Sequence, residues 1–529
     1  MTRLRLIVIM ALLGLCTAAS AQQTPAIILP DVLAIELPRG RTDISPVESP
    51  LRELLNAGRS GSRLVTADLQ RKVSAGPVRV TWNAWDGAAG AGKPAATRTA
   101  RIFILPNGMT PVGVSGDENA TGGNNGVHIV RDPTGRVHMI WQDGGREGGR
   151  TGAVYRRAFV AADGTVKFET DPMYVADDGP SDWNAYPSLT LTGASVQLVW
   201  QGAGTARTRR VSLGSTGWTL GPIINIGAKS EGRDVGAVIA ADAKGGLHVV
   251  TPNGVYATST DQGLSWKTEA VPLPPGATVK TSSLTADPAG IVHVAFTAPI
   301  ARPDPPGAKL GGYWQLRTID RTPAGEWTNA TDVLAPMPGW AEPKGSDDML
   351  ADWSRIGADA QGGLHLTWHG TVFTHKFAND AAFYAYKKPG GAWQKPVLLV
   401  PQEASRGIKF SYAPSLALDG GLALVLSFYD VYTDGKELGF DSRLAFLRNG
   451  TPEQPSVPVT QFVSAAIAVK RPDTALSARF PSAAPTVFRT PDGRVMLDIL
   501  ELYQSPFEPG GANLVVYHRL DLTANLRRP

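Results

Sequence analysis

"VRDPTGRVHMIW", residues 130–141, joins a short apolar strand to a tight turn carrying Asp132 and Gly135, then to an alternating strand that ends on Trp141. The phrase returns as "LTLTGASVQLVW" (189–200), "IAADAKGGLHVVT" (239–251), "LTADPAGIVHVAF" (284–296), "IGADAQGGLHLTW" (356–368), "LALDGGLALVL" (416–426) and "FRTPDGRVMLDI" (488–499). A third strand follows each copy, for example "AVYRRAF", "GVYATS" and "AFYAYKK", and a less regular fourth follows most of them. Four short antiparallel strands repeated in this way bury their faces only against the next repeat, so the chain predicts an all-β fold, a seven-bladed β-propeller. Six or eight blades stay open, because an N-terminal hairpin would make a blade of its own.

The seventh copy ends near Leu520 after its third strand, so the ring needs a strand from elsewhere. The N-terminal candidates are "VRVTW" (78–82) and "ARIFIL" (100–105). The expected organisation is a signal peptide over 1–21, a linker with short helices over 22–75, including "ESPLRELLNAG", and a propeller over 76–529. Residues 1–21, "MTRLRLIVIMALLGLCTAASA", have early arginines, a short apolar run and a small-residue cleavage site after Ala21. This predicts a secreted or periplasmic protein.

Composition narrows the chemistry. Cys16 is the single cysteine and falls in the expected signal, so neither a disulfide nor a thiolate metal site is expected in the mature chain. The net charge of +4 comes from 51 basic and 47 acidic residues scattered along the chain, which argues against a nucleic-acid partner. No later apolar run reaches membrane-spanning length. No cofactor or metal motif is present: "GAAGAGKP" lacks the hydroxyl residue and helix of a phosphate loop, and "GGREGGRTG" does not open a helix. A monomer is expected.

"STDQGLSW", residues 259–266, resembles the Asp-box, or bacterial neuraminidase repeat, of sialidase-like propellers, with Ser259, Asp261, Gly263 and Trp266 on its four defining positions. The resemblance implies a structural turn after the third strand of the third blade, on the face opposite the binding face. The sialidase Phe/Tyr-Arg-Ile-Pro motif is absent. "AYPSL", with Tyr186, is similar to the Tyr-Pro opening of a blade in seven-bladed polysaccharide lyases of the ulvan-degrading type, whose His-Asn pair would fall on Asn124 and Asn125.

His138, His248, His293 and His365 occupy one equivalent position in four blades, which marks them as packing elements bonded to a neighbouring carbonyl. His128, His369, His375 and His518 break the repeat and are better site candidates. If the first strand of each blade lines the axis, the loops entering those strands share one rim. They carry Arg233, Arg355, Arg406 and Arg479, whose planar forks suit the carboxylate of an acidic glycan. Each would otherwise pair with a nearby acid and only hold its loop. Tyr186, Tyr412 and His128 are candidate proton-transfer groups, and Asp352 and Glu231 candidate carboxylates, with Asp182, Asp234 and Asp348 as further choices. Two functions compete: a secreted enzyme, hydrolase or lyase, acting on an acidic glycan, and a non-catalytic propeller that binds a glycan or a protein.

Overall fold

Alternation along each repeat gives every sheet two apolar faces, and the protein covers both by setting the sheets side by side in a ring. The structure is a computed structural model. It describes the blade strands and most turns of 109–529 and five strands within the first 105 residues. The loops 177–184, 228–235, 275–281, 301–312, 334–350, 400–410, 459–482 and 504–512, with shorter segments, lie outside the described residues. The architecture is the expected seven-bladed propeller of four-stranded antiparallel blades.

The inner strands are Ile129–Arg131, Ala185–Thr192, Val238–Ala241, Ser282–Ala286, Ala351–Ala358, Ser411–Asp419 and Ala483–Arg489, in blades one to seven. Each touches the inner strand of the next blade, and the seventh touches the first, so these strands line the axis. Among the described residues seven apolar clusters fill the ring, each shared by two neighbouring blades. Trp141, Trp200 and Trp368, which end three of the repeats, are fully buried in three of these seams.

The closing strand is Met109–Ser115, which pairs antiparallel with Asn513–Asp521 of the seventh blade. The two strands expected for that role lie elsewhere: Gly76–Asp86 and Ala96–Leu105 pair with each other in a separate five-stranded sheet. That sheet also contains Val32–Glu36 and Arg63–Asp68, so part of the stretch expected as a helical linker is extended. The segment 48–58 lies outside the described residues. Closure is tight, since Gly113 passes so near Trp141 that a Cβ there would stand 2.4 Å from the indole Cζ2.

Among the described residues no helix is long and apolar enough to cross a membrane.

Candidate functional site

An antiparallel meander starting at the axis sends its first and third turns to one rim, and its second turn, with the loop entering the blade, to the other. The first rim therefore holds the Asp/Gly turns and the 259–266 turn; the second, here called the axial rim, holds the loops expected to carry chemistry.

On the first rim the 259–266 turn is tied together by its own side chains. Asp261 Oδ1 accepts the N–H groups of Leu264 and Ser265 at 3.1 and 2.9 Å and the Ser259 hydroxyl at 2.7 Å. Ser259 Oγ accepts the N–H of Gly263 at 2.9 Å, and Trp266 Nε1 donates to the Gly263 carbonyl at 3.2 Å. Gly263 has φ of 84°, and a Cβ on it would meet Gln197 of the neighbouring blade, so conformation and packing both require glycine. Hydrogen bonds from Ser265 and Ser259 hold the Asp261 carboxyl down at about 2.

Three of the four repeated histidines pack as expected, but their partners are a carboxylate and a phenol rather than a carbonyl. His138, His248 and His365 direct Nε2 at Asp132, Asp242 and Asp359, and Nδ1 at the hydroxyls of Tyr155, Tyr256 and Tyr384, at 2.6 to 3.3 Å. Burial lowers the pKa of all three imidazoles. Neutral rings then donate from Nε2 to the carboxylate and accept the tyrosine O–H at Nδ1.

On the axial rim the inner strands of blades two, five and six share a β-bulge. The register slips between Ala185 and Ser188, between Asp352 and Arg355, and between Tyr412 and Ser415. In two of them an aromatic residue takes a left-handed backbone, Tyr186 at φ 53° and Trp353 at φ 51°. A bulky L-residue there is strained, and a bulge re-aims the side chains beside it. The surroundings hold the strain: Tyr186 N–H donates to Gln142 Oε1 at 2.6 Å, and Gln142 Nε2 in turn donates to Asp117.

His128 is buried where the chain enters the first blade. The neighbouring Val127 bridges to blade two, its N–H donating to Ser188 Oγ at 3.0 Å. The His128 Nδ1–H donates to the Ile140 carbonyl at 3.1 Å, which fixes the tautomer and leaves the lone pair on Nε2. Burial pulls its pKa down to about 4, and the charge of Arg355 adds to that effect. Arg355 lies on the inner strand of blade five, across the ring from His128; it is half-buried, and desolvation lowers its pKa to about 10, so it is a cation at neutral pH.

Tyr186, His128 and Arg355 are thus the predicted site residues that the described structure brings to the axial rim. Tyr412 and Asp352 sit on inner strands opposite Phe428 and His369, their side chains outside the described residues. Glu231, Arg233, Arg406 and Arg479 lie outside the described residues, as do Asp182, Asp234, Asp348, His375, Asn124 and Asn125. His518 is buried and pairs with Glu501 at 3.0 Å. Gln142 was not among the candidates, although a glutamine follows both Trp141 and Trp200, which places a polar side chain at the rim end of a core strand.

No protein-family model matches the chain, and no curated protein matches it. Among solved structures it is similar to a polysaccharide lyase, Uly1, at 11% identity and a TM-score of 0.45, over 79% of this chain and 100% of that one. It is also similar to the NanB sialidase of Streptococcus pneumoniae, at 9% identity and a TM-score of 0.39 over 85% and 84% of the two chains. YCF48 bound to D1 peptide scores 0.38 at 11% identity, over 79% and 95%. Likeness at this level concerns architecture and says nothing of the chemistry of this chain.

Proposed function

We propose that the chain is an exported propeller of the sialidase-like kind that binds an acidic glycan at its axial rim and cleaves it by elimination. The observation that supports this reading is the placement on one rim of His128, oriented by its Nδ1–H bond to the Ile140 carbonyl, of Arg355 beside the blade-five bulge and of Tyr186 in the blade-two bulge. Hydrolysis would instead ask for two carboxyl groups flanking the bond. The described carboxylates near Gln142 are engaged: Asp117 by Gln142, and Asp143 by the Gly116 N–H at 3.1 Å and the Tyr174 hydroxyl at 2.8 Å.

In this reading Arg355 neutralises the sugar carboxylate, which acidifies the adjacent carbon. His128 Nε2 takes the proton from that carbon as the C–H bond breaks, and its electron pair forms a carbon–carbon double bond. The bond from the next carbon to the glycosidic oxygen breaks, and the departing oxygen takes the Tyr186 phenolic proton, which solvent replaces. Binding the carboxylate also cancels the Arg355 charge that weakens His128, so the base strengthens when substrate is present.

The test incubates the protein with uronate polysaccharides and with sialosides, following reducing ends together with the ultraviolet absorption of an unsaturated product. Both signals should appear on a uronate substrate and disappear in Arg355→Gln. Reducing ends without absorption would make it a hydrolase. Binding without either signal would leave a non-catalytic glycan-binding propeller, and glycan binding unaffected by Arg355→Gln would remove the proposed anion site.

A further inference from the structure

Trp353 is the second aromatic residue held in the left-handed backbone at the axial rim, at φ 51° in the blade-five bulge between Asp352 and Arg355. A tryptophan is strained in that conformation, which glycine adopts freely, and such strain marks a side chain aimed for a purpose. Tyr186, at the equivalent position in blade two, is held by Gln142, the residue after Trp141. The residue in the same place before blade five is Thr297, after Phe296. Its hydroxyl and that of Ser354, beside the tryptophan, are fully buried and have no hydrogen-bond partner among the described residues. These two side chains therefore do not repeat at Trp353 the clamp that fixes Tyr186.

The bulge also turns the indole out of its own seam. Ile356, three residues on, lies in the apolar cluster of blades four and five, whereas Trp353 packs against the cluster of blades six and seven. A side chain that starts on the inner strand of blade five and reaches that cluster runs along the mouth of the ring, past blade six. His369 meets the indole with ring centroids 6.3 Å apart and planes at 63°, an edge contact that fixes its tilt. The indole stays half-buried, so part of its surface is open at the rim. Arg355, the cation assigned to the sugar carboxylate, stands two residues along the strand, no more than about 7 Å away between backbones.

We propose that Trp353 is the stacking platform of this site, its indole taking the apolar C–H face of the sugar joined to the uronate that Arg355 binds. The proposal rests on the glycan reading above and narrows it. A site with a cation for one ring and an aromatic face for the next selects a uronate within a chain over a free sugar acid. A sugar ring presents C–H groups on its faces and hydroxyls at its edge, so a flat indole buries the former and leaves the latter to polar neighbours. Because the indole is already fixed by His369 and the bulge, little freedom is lost on binding.

The experiment measures calorimetric affinity of the full chain for glucuronate and for a glucuronate-containing tetrasaccharide, in the His128→Gln background so that bound chains stay intact. The tetrasaccharide should bind about tenfold tighter than glucuronate. Trp353→Gly, which accepts the left-handed backbone without strain, should remove most of that gain and leave glucuronate affinity within about twofold. Trp353→Phe should keep part of the gain, and Arg355→Gln should weaken both ligands. In fluorotryptophan-labelled protein, the resonance that disappears in Trp353→Phe should shift on saturation with the tetrasaccharide. A chain-length gain that survives Trp353→Gly, an equal loss for both ligands, or an unmoved Trp353 resonance would overturn the platform, while sensitivity to Arg355→Gln keeps the glycan reading. Affinity for neither ligand, or affinity indifferent to Arg355→Gln, would sink that reading and the platform with it.

Discussion

The peptide N–H of Tyr186 donates to Oε1 of Gln142 at 2.6 Å, so a side chain of the first blade holds a strained residue of the second. The bond crosses the blade seam that the apolar clusters seal, at the end where the axial rim opens. Removing the acceptor leaves the Tyr186 amide without this bond and lets the bulge relax. Gln142→Leu should lower stability by about 1–3 kcal/mol in denaturant titration and weaken ligand binding by displacing Tyr186. Gln142→Glu keeps an oxygen for Tyr186 but faces the Asp117 carboxylate, so its loss should ease as pH falls. Equal losses at every pH would show that the Asp117 contact is not what matters.

Ring closure predicts a second cost. Gly113 on the closing strand approaches the Trp141 indole to a distance that no real Cβ tolerates. Gly113→Ala must push the indole or the strand aside, which should cost about 1–3 kcal/mol, as overpacking of a dense core does. Trp141→Phe in the same background should recover part of it. A thermal melt in which Gly113→Ala matches the parent would show that the closing strand does not hold this position.

Blade number was legible because the repeated phrase couples two facts that packing needs together, a strand alternation and a turn of fixed residue type. The partner of the last strand was not, since "VRVTW", "ARIFIL" and "MTPVGVS" all alternate acceptably, and which one reaches the seventh blade depends on the path of the preceding chain. The histidine positions were legible as structural from their repetition, while the identity of their partners was hidden because Tyr155 and Tyr384 lie 17 and 19 residues away on another strand. The bulge at Tyr186 carries no local signal at all: tyrosine disfavours the left-handed backbone, so only the tertiary bond to Gln142 reveals why it is there.

The 259–266 turn predicts a separation of stability from function. Asp261→Ala removes the acceptor shared by Ser259, Leu264 and Ser265, so the melting temperature should fall. Because the folded carboxyl is held at about 2, below its unfolded value, its contribution is complete above the unfolded pKa and is lost as pH falls through about 2. The variant should therefore differ from the parent at neutral pH and converge with it in strong acid. Glycan binding at the other rim should be unchanged; a variant that keeps its melting temperature but loses binding would reverse the assignment of the two faces.

The buried imidazole at the axial rim sets a pH dependence of the same sense, in a window at higher pH. His128 has a folded pKa near 4, below its unfolded value of 6.5, so between those values the unfolded chain binds a proton that the folded protein refuses. Stability then rises with pH across this window, is fully present above about 6.5 and is lost progressively on acidification towards 4, amounting to roughly 3 kcal/mol at most. His138, His248 and His365 act in the same direction, so the test is a difference: the parent and His128→Gln are unfolded in denaturant at several pH values between 4 and 7. The gap between them should shrink as pH falls. Arg355→Gln removes the nearby cation, raises the folded pKa of His128 and should narrow the window from its acidic side. A gap that stays constant across the range would mean that His128 does not refuse the proton, and with it would go the neutral base on which elimination chemistry at this rim depends.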